Sequence, residues 1–212
     1  MAGRAFADRV DAGRQLAAAL LHHRGGGVLV LGLPRGGVPV AAEVAAALDA
    51  DLDVLVVRKL GVPGHEELAM GAVAGGGLRV LNDDVLSRLR LAPGVVEAAT
   101  ARAAAVVAER ERDYRGDRPP PDLAGRPVVL VDDGLATGAT MRVAVQAVSG
   151  AGASPVVAAV PVAPPPACHA LRALADEVVC LRTPPSFVAV GAWYDDFSET
   201  SDDEVRELLG VA

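Results

Sequence analysis

Residues 127–140, with the sequence PVVLVDDGLATGAT, constrain the fold more than any other part of the chain. They begin with a continuous apolar run, Val128–Val131, which is typical of a strand buried on both faces of a parallel sheet. Two acids, Asp132 and Asp133, follow where that strand ends, and a loop of small residues then leads into a segment of helical composition. In open α/β sheets, ligands bind outside the carboxyl ends of the strands. The pattern therefore predicts a ligand site at this strand end.

The residue types of this stretch favour a phosphorylated sugar. Unpaired N–H groups at a helix start attract an anion. Gly138 lets the backbone approach that anion, and the hydroxyls of Thr137 and Thr140 can add hydrogen bonds. Two carboxylates would repel a phosphate, so we expect them to face vicinal hydroxyls and Mg²⁺. The pattern therefore indicates a ribose 5-phosphate, with an ordinary strand, acidic turn and helix cap as the alternative. Neither a Walker A loop nor a G-x-G-x-x-G fingerprint is present in this stretch.

Residues 128–140 closely resemble the motif with which type I phosphoribosyltransferases bind 5-phosphoribosyl 1-pyrophosphate (PRPP). In that motif, four apolar residues and two acids precede a small-residue loop that ends in Thr-Gly-x-Thr. The resemblance implies that Asp132 and Asp133 are catalytic residues that hold the ribose 2- and 3-hydroxyls, and that Mg²⁺ is the cofactor. It also implies that the following loop residues hold the 5-phosphate: Ala136, Thr137, Gly138, Ala139 and Thr140.

A second loop repeats this logic near the start of the chain. Residues 28–33 are predicted to form a strand and residues 38–48 a helix, and Pro34, Arg35, Gly36 and Gly37 lie between them. This loop resembles the pyrophosphate loop of the same family, which often contains a cis peptide before a residue other than proline. The resemblance implies that the backbone amides of Arg35, Gly36 and Gly37 hold the leaving pyrophosphate.

Two cations follow the second predicted strand, residues 52–57. Arg58 and Lys59 would lie at the ligand edge and balance a pyrophosphate, and Lys59 is a candidate catalytic residue; a solvated strand end is the alternative. Residues 61–77 are rich in glycine and match the position of the family's mobile catalytic loop. His65, Glu66 and Glu67 are candidates within it. Residues 69–74 and 78–81 are predicted to pair as a hairpin across the glycines.

The remaining segments complete an α/β fold with a doubly wound, mostly parallel sheet. Residues 156–161 and 177–181 are predicted strands, and residues 166–174 a helix between them. We expect a Rossmann-like phosphoribosyltransferase core over residues 1–81 and 122–182, a helical insertion that forms a small third domain over residues 82–121, and a C-terminal hood over residues 183–212.

The hood contains much of the aromatic content of a chain that is only 3% aromatic. Phe187 and Trp193 suit stacking on a nucleobase, and a locally packed aromatic cluster is the alternative. The run resembles the hood of 6-oxopurine phosphoribosyltransferases, which implies that Asp195 approaches Mg²⁺-pyrophosphate. Ala136 stands where those enzymes carry an acid and is similar to the adenine enzymes. The acceptor is therefore expected to be a purine-like base of open identity, as in the predicted bacterial phosphoribosyltransferases that the chain resembles most.

Composition narrows the partners and the compartment. The net charge of −7 argues against nucleic acid or an anionic membrane as a partner. Cys168 and Cys180 lack metal-ligand spacing and are expected to be two small buried residues without a disulfide. The neighbouring His22 and His23, with no partner evident in the sequence, predict no metal site. Without a signal peptide or long apolar run, the chain is expected to be cytoplasmic.

Three function classes remain open. The first is a Mg²⁺-dependent phosphoribosyltransferase that releases pyrophosphate from PRPP as a nitrogenous base attacks; homodimers are common in that family. The second is a regulator that senses PRPP or a nucleotide on the same fold without turnover. The third, PRPP synthesis, is disfavoured because that family is normally longer and needs an ATP site that the sequence does not show.

Overall fold

A five-stranded parallel sheet forms the centre of the molecule in the computed structural model, which describes residues 6–62, 65–89 and 92–211. Its strand order is β2-β1-β6-β7-β8, and every neighbouring pair is parallel. The strands are β1 (Leu29–Gly32), β2 (Asp51–Val54), β6 (Val128–Val131), β7 (Val156–Val162) and β8 (Glu177–Arg182). The direction of the strand order reverses between β1 and β6, so the loops that follow these two strands meet at one edge. The predicted α/β fold with a mostly parallel sheet is confirmed.

Helices cover both faces of this sheet because its strands are apolar on both sides. Val129 and Val131 of β6 face a cluster formed by α1 (Arg9–Leu20) and α2 (Gly37–Leu48). Val128 and Leu130 face the opposite cluster, which α5 (Ala139–Gly150) and α6 (Pro165–Leu171) complete. Successive side chains of a strand point to opposite faces, and this explains why the continuous apolar run forms a strand that is buried on both sides.

Three antiparallel strands form a second sheet: β3 (Val57–Val62), β4 (His65–Ala74) and β5 (Leu78–Leu81). The predicted hairpin is therefore confirmed, and most of residues 61–77, which were predicted to match a mobile catalytic loop, form strands. The backbone of His65, Glu66 and Glu67 belongs to β4, and positions 63 and 64 of that predicted loop lie outside the described residues. Buried Met70 and Val73 give β4 an apolar face, which packs against a helix.

The prediction of one strand over residues 52–57 was wrong. β2 ends at Val54, the N–H of Leu55 still donates to the carbonyl of Gly32, and the chain then leaves the sheet. A new strand, β3, begins at Val57, so Arg58 and Lys59 lie within the second sheet rather than at the end of β2. The sequence does not show where β2 ends, because residues 54–57 are all apolar and pack against one sheet or the other.

Residues 82–121, the predicted helical insertion, contain the helices α3 (Asp83–Leu89) and α4 (Pro93–Arg115). Val96, Ala103 and Val107 of α4 pack against the second sheet. At the end of α4, the buried Arg115 donates to Asp53 Oδ1 at 2.7 Å and to the carbonyl of Val54 at 2.5 Å. This contact fixes the end of the insertion to the edge strand β2 of the central sheet.

The C-terminal hood returns to the start of α1. Phe6 donates its N–H to the carbonyl of Trp193, and its own carbonyl accepts the N–H of Asp195 at 2.9 Å. The last helix, α7 (Asp202–Leu208), is capped by Ser201, whose side chain accepts the N–H of Glu204. The hood is therefore attached to residues that precede the central sheet by backbone hydrogen bonds.

Cys168 and Cys180 form a disulfide, which corrects the expectation that they are unpaired. Cys168 lies in α6 and Cys180 in β8, the strand that follows α6, and the helix packs on this part of the sheet. That packing brings the two residues together although they are twelve positions apart in the sequence.

Within the described ranges, no helix combines the length and the apolar character needed to cross a bilayer.

Candidate active site

Asp133 is held in place at the end of β6 by residues from both termini. Its Oδ2 accepts a hydrogen bond from Nε of Arg9 at 2.9 Å and forms an ion pair with the second terminal nitrogen of the same guanidinium at 2.8 Å. The same guanidinium donates to the carbonyl of Ser198 at 2.6 Å and lies 3.9 Å above the ring of Phe197. The buried Tyr194 donates its hydroxyl to the backbone carbonyl of Asp133 at 2.5 Å. These contacts fix both the carboxylate and the backbone of Asp133.

The carboxyl groups of Asp132 and Asp133 lie close together, and the guanidinium of Arg9 pairs with the second of them. Burial, and secondly the negative charge of Asp133, raise the pKa of Asp132 well above its ordinary value. The N–H of Asp133, which donates to Asp132 Oδ1 at 2.9 Å, opposes this shift. Burial also raises the pKa of Asp133, while Arg9 works against it. A ligand that brings a positive charge or hydroxyl donors would compensate this pair, and its hard oxygen donors suit Mg²⁺.

The loop of residues 34–37 lies directly against these acids. A Cβ atom on Gly36 would overlap the carboxylate of Asp133. A Cβ atom on Gly37 would lie 2.8 Å from the carbonyl oxygen of Val131 and 2.9 Å from the Cα atom of Asp132. The Pro34–Arg35 peptide is cis, as the sequence resemblance implied. The backbone of this loop and the two acids therefore form one continuous surface.

The loop of residues 134–140 leads from the acids to the N-terminus of α5. Gly138, with φ of +72°, directly precedes the helix. Thr137 Oγ1 accepts the N–H of Ala139 at 3.3 Å, and the side chains of Ala136, Thr137 and Thr140 are exposed. The first N–H groups of a helix have no partner within it, so this exposed loop is suited to an anion.

The predicted cations do not all gather at this site. Arg35, 38% exposed, forms an ion pair with Glu199 of the hood, and its other terminal nitrogen lies 4.0 Å from Asp202. Lys59 instead lines a cavity of about 660 Å³ between the second sheet and α5, whose wall includes Ala139. Arg58 is exposed on β3. The acids thus have the backbone of the 34–37 loop beside them, and Lys59 shares a cavity with Ala139 at the end of the 134–140 loop.

The predicted base-binding aromatics pack beside the acids. Phe187 and Trp193 are both half-buried against a cluster that contains Phe6 and Tyr194. Tyr194 in turn contacts Asp133, so the cluster adjoins the two acids. Asp195 is exposed and lies next to this cluster in the chain. The two rings pack locally, as the alternative interpretation expected, but each also keeps exposed surface on which a base could stack.

The sequence of residues 5–196 matches the family described as the phosphoribosyl transferase domain. The chain belongs to this family. It is 52% identical over 207 residues to two Mycobacterium tuberculosis proteins, from strains CDC 1551 and H37Rv, that carry the provisional name phosphoribosyl transferase. The match covers 98% of this chain and 47% of each relative, so the chain spans about half the length of these curated relatives.

One solved structure is similar over nearly the whole phosphoribosyl transferase chain. The crystal structure of the protein TT1426 from Thermus thermophilus is 49% identical in sequence and superposes with a TM-score of 0.86. The match covers 96% of this chain and 97% of that chain. The fold is therefore shared with a protein of nearly the same extent.

Sequence reasoning missed two residues of this phosphoribosyl transferase site, Arg9 and Tyr194. Tyr194 stood within the aromatic run but received no role, and burial followed by the charge of Asp133 raises its pKa, so it remains a hydroxyl donor. Arg9 gave a weak signal, because a cation in the first turn of α1 opposes the helix dipole. This unfavourable position is offset by the hydrogen bonds that Arg9 donates to Asp133 and to the carbonyl of Ser198.

Proposed function

We propose that this chain transfers ribose 5-phosphate from PRPP to a nitrogenous base and releases pyrophosphate. The observation that supports this most strongly is the position of Asp132 and Asp133 between two small-residue loops at one sheet edge. One loop presents backbone to the acids at Gly36 and Gly37, and the other leads into the N-terminus of α5. A ribose with a phosphate at one end and a pyrophosphate at the other matches this order of groups.

Each part of the site then has a chemical task. The carboxylates of Asp132 and Asp133 accept hydrogen bonds from the ribose hydroxyls, and residues 136–140 bind the 5-phosphate. The amides of residues 35–37 bind the pyrophosphate, and Lys59, which shares a cavity with Ala139, supplies positive charge from the side of α5. As the bond from the anomeric carbon to the pyrophosphate oxygen breaks, a base nitrogen forms the new bond to that carbon. The transition state resembles an oxocarbenium ion, so the protein acts by orientation and electrostatic stabilisation.

Mg²⁺ fits the donor set of this edge. Asp132 and Asp133 offer carboxylate oxygens in a buried setting that raises the pKa of both groups, and Asp195 is a further candidate beside the pyrophosphate. When bound, Mg²⁺ supplies charge that neutralises the leaving pyrophosphate. Arg9 keeps the carboxylate of Asp133 oriented in either case.

The acceptor is proposed to be a purine-like base that stacks on Phe187 or Trp193. Their cluster is joined to Asp133 through Tyr194, which brings the aromatic surface to the same end of the site as the acids. Removing either ring should raise KM for the base more than KM for PRPP, because only the base contacts the rings. Phe187→Leu and Trp193→Leu retain an apolar side chain and separate stacking from packing.

Calorimetric titration with PRPP and Mg²⁺, followed by each candidate base, tests the proposal. Asp132→Asn and Asp133→Asn should weaken PRPP binding and turnover by at least about 100-fold, since a carboxylate hydrogen bond contributes about 1.5–3 kcal/mol and each acid can make two. Asp117→Asn, on an exposed turn after α4, is the matched control and should change neither. Wild-type PRPP binding in both site variants would exclude the assignment. Binding of PRPP without pyrophosphate release for any base would instead identify a PRPP-sensing regulator.

A further inference from the structure

Two histidines and a glutamate converge at the edge of the sheet opposite the candidate active site. His22 and His23 lie in a single 3₁₀ turn, residues Leu21–His23, which continues α1. Glu177 is the first residue of β8. Nε2 of His22 lies 3.2 Å from Oε2 of Glu177, and Nε2 of His23 lies 2.9 Å from the same oxygen. The partner of the histidines that the sequence did not reveal is therefore 155 positions away from His22.

The arrangement of the rings is unusual for neighbouring residues. Side chains of consecutive residues in a helical turn normally point apart, yet these two imidazole rings are in contact, with centroids 4.1 Å apart and planes tilted by 41°. Both turn the same nitrogen, Nε2, toward one carboxylate oxygen. One ligand atom from each of the three residues lies within 4.8 Å of the others. Such convergence is what a shared cation requires.

The spacings also match metal coordination. Tetrahedral Zn²⁺ with bonds of about 2.0–2.1 Å separates neighbouring ligand atoms by about 3.3 Å. The two nitrogen–oxygen distances of 3.2 and 2.9 Å are close to that length. The three donor atoms, which all lie within 4.8 Å of one another, are close enough to share one ion.

We propose that His22, His23 and Glu177 form a binding site for a divalent transition-metal ion, with Zn²⁺ as the expected occupant. Two imidazoles and one carboxylate favour Zn²⁺, Cu²⁺ or Ni²⁺, whereas Mg²⁺ prefers oxygen donors alone. The side chains of His22, His23 and Glu177 are 55%, 16% and 36% exposed, so water completes the coordination and the ion exchanges with solvent. The site takes a different class of metal from the one proposed for the two acids.

A metal ion would take the place of the two hydrogen bonds in this cluster. Nε2 of His22 and Nε2 of His23 both lie within hydrogen-bonding distance of Oε2 of Glu177. An imidazole nitrogen that binds a metal carries no proton, so an ion would use these same nitrogens and the carboxylate as its ligands. It would then connect the end of α1 to the start of β8.

The site is independent of the proposed transferase chemistry in position and in metal. α1 contains 12 residues and is about 18 Å long, and Arg9, which contacts Asp133, lies at its other end. Occupation by Zn²⁺ should therefore stabilise the fold without replacing Mg²⁺ at the acids. At 100 times its Kd, the ion should raise Tm by roughly 5–10 °C for a chain of this size.

The experiment is Zn²⁺ titration of the untagged chain, followed by calorimetry and by metal analysis after dialysis. We expect one Zn²⁺ per chain. His22→Ala, His23→Ala and Glu177→Gln should each weaken binding at least about tenfold. His169→Ala, which removes an exposed histidine on α6, is the control and should leave the affinity unchanged. His22→Cys should restore binding lost in His22→Ala because a thiolate is also a Zn²⁺ ligand.

Co²⁺ provides a second readout that a purely structural role would not produce. Its visible absorption should indicate nitrogen and oxygen donors in wild type and should change in His22→Cys, when sulfur enters the coordination. Because His22 is the most exposed member, His22→Ala should keep the circular dichroism spectrum and PRPP binding of wild type. Equal Zn²⁺ affinity in wild type and all three ligand variants, or no Zn²⁺ bound by a correctly folded wild type, would overturn the proposal. Neither result bears on the transferase reaction.

Discussion

The two loops at the carboxyl edge of the sheet contain glycine for different physical reasons. In the loop of residues 34–37, Gly36 and Gly37 have no positive φ, but neighbouring atoms leave no room for a Cβ atom. In the loop of residues 134–140, Gly138 has φ of +72°, and a Cβ atom there would meet nothing closer than 3.5 Å. At Gly36 and Gly37 glycine is required for contact with the acids, whereas at Gly138 it is required for backbone conformation.

This difference has consequences for how each loop tolerates change. A side chain at Gly36 must displace the carboxylate of Asp133, which Arg9 holds by a hydrogen bond and an ion pair. A side chain at Gly138 displaces nothing and adds only the strain of a left-handed conformation, about 1–2 kcal/mol. A substitution at Gly36 should therefore displace the carboxylate of Asp133, whereas one at Gly138 should mainly weaken binding of the 5-phosphate.

The largest effect is expected for Gly36→Ala. The new methyl group would move the carboxylate of Asp133, and a misplacement of about 1 Å can lower activity about 100-fold. Pyrophosphate release from PRPP with the accepted base measures kcat/KM, and calorimetry measures PRPP affinity. Gly150→Ala is the matched control, because a Cβ atom at the end of α5 meets nothing within 4 Å. Near-normal activity in Gly36→Ala would show that the acids move freely and would remove the contrast between the loops.

The next largest effect is expected for Arg9→Met. It removes the partner of Asp133 from a pair whose side chains are only 12% and 14% exposed, and it leaves the negative charge uncompensated. Because Arg9 opposes the rise of the Asp133 pKa, that pKa should rise further, and the pH–rate profile should move to higher pH. We expect a loss of about 10–100-fold in kcat/KM at neutral pH, equal to roughly 1.4–2.8 kcal/mol.

A matched control and a double variant sharpen the Arg9 prediction. Arg14→Met removes an ion pair to Glu43 from the same helix, but the Arg14 side chain is 69% exposed, so activity should not change. In Arg9→Met, the Asp133 carboxylate is released, so Gly36→Ala should lower activity less than it does in wild type. Strict additivity of the two substitutions would contradict the contact between the loop and a fixed carboxylate.

The sequence predicted the elements whose structure depends mainly on residues that are adjacent in the chain. β6, the two acids and the start of α5 form one continuous motif, and each element of the motif is visible without tertiary information. The break between β2 and β3 was not predictable from the same kind of pattern. Val54, Leu55, Val56 and Val57 are uniformly apolar, although the chain passes between two sheets there.

The contacts that complete the site depend on elements far apart in the chain. Arg9 reaches Asp133 across 124 positions and Tyr194 reaches it across 61, so no local motif contains either pair. The approach of Glu177 to His22 has the same origin, since it follows from the packing of α1 beside β8. Once the strand order β2-β1-β6-β7-β8 is known, these meetings follow from topology. The sequence contains the residues but does not show which edge each will reach.

A smaller effect is expected for Gly138→Ala. The left-handed conformation becomes strained by about 1–2 kcal/mol, and the backbone relaxes at the start of α5. KM for PRPP should rise about tenfold while kcat changes little, because the phosphate contact is the same in ground and transition states. Gly138→Asn should lose less affinity than Gly138→Ala, since asparagine accepts positive φ more readily. Equal losses in both variants would indicate that the added side chain obstructs the ligand instead.

The smallest effect is a gain in stability for Asp132→Asn in the absence of ligand and Mg²⁺. Burial and the charge of Asp133 raise the pKa of Asp132 in the folded state, so the folded protein binds more protons than the unfolded chain and loses stability as pH rises above the unfolded pKa. Removing the charge should add about 1 kcal/mol near neutral pH, or roughly 2–4 °C in Tm. The gain should shrink as pH falls, because protonation of wild-type Asp132 in the folded state removes the same charge that the substitution removes. Asp133→Asn loses the pair with Arg9 and should show a smaller gain or a decrease. Thermal unfolding of both variants across this pH range in EDTA measures whether the charge of Asp132 lowers the stability of the ligand-free protein.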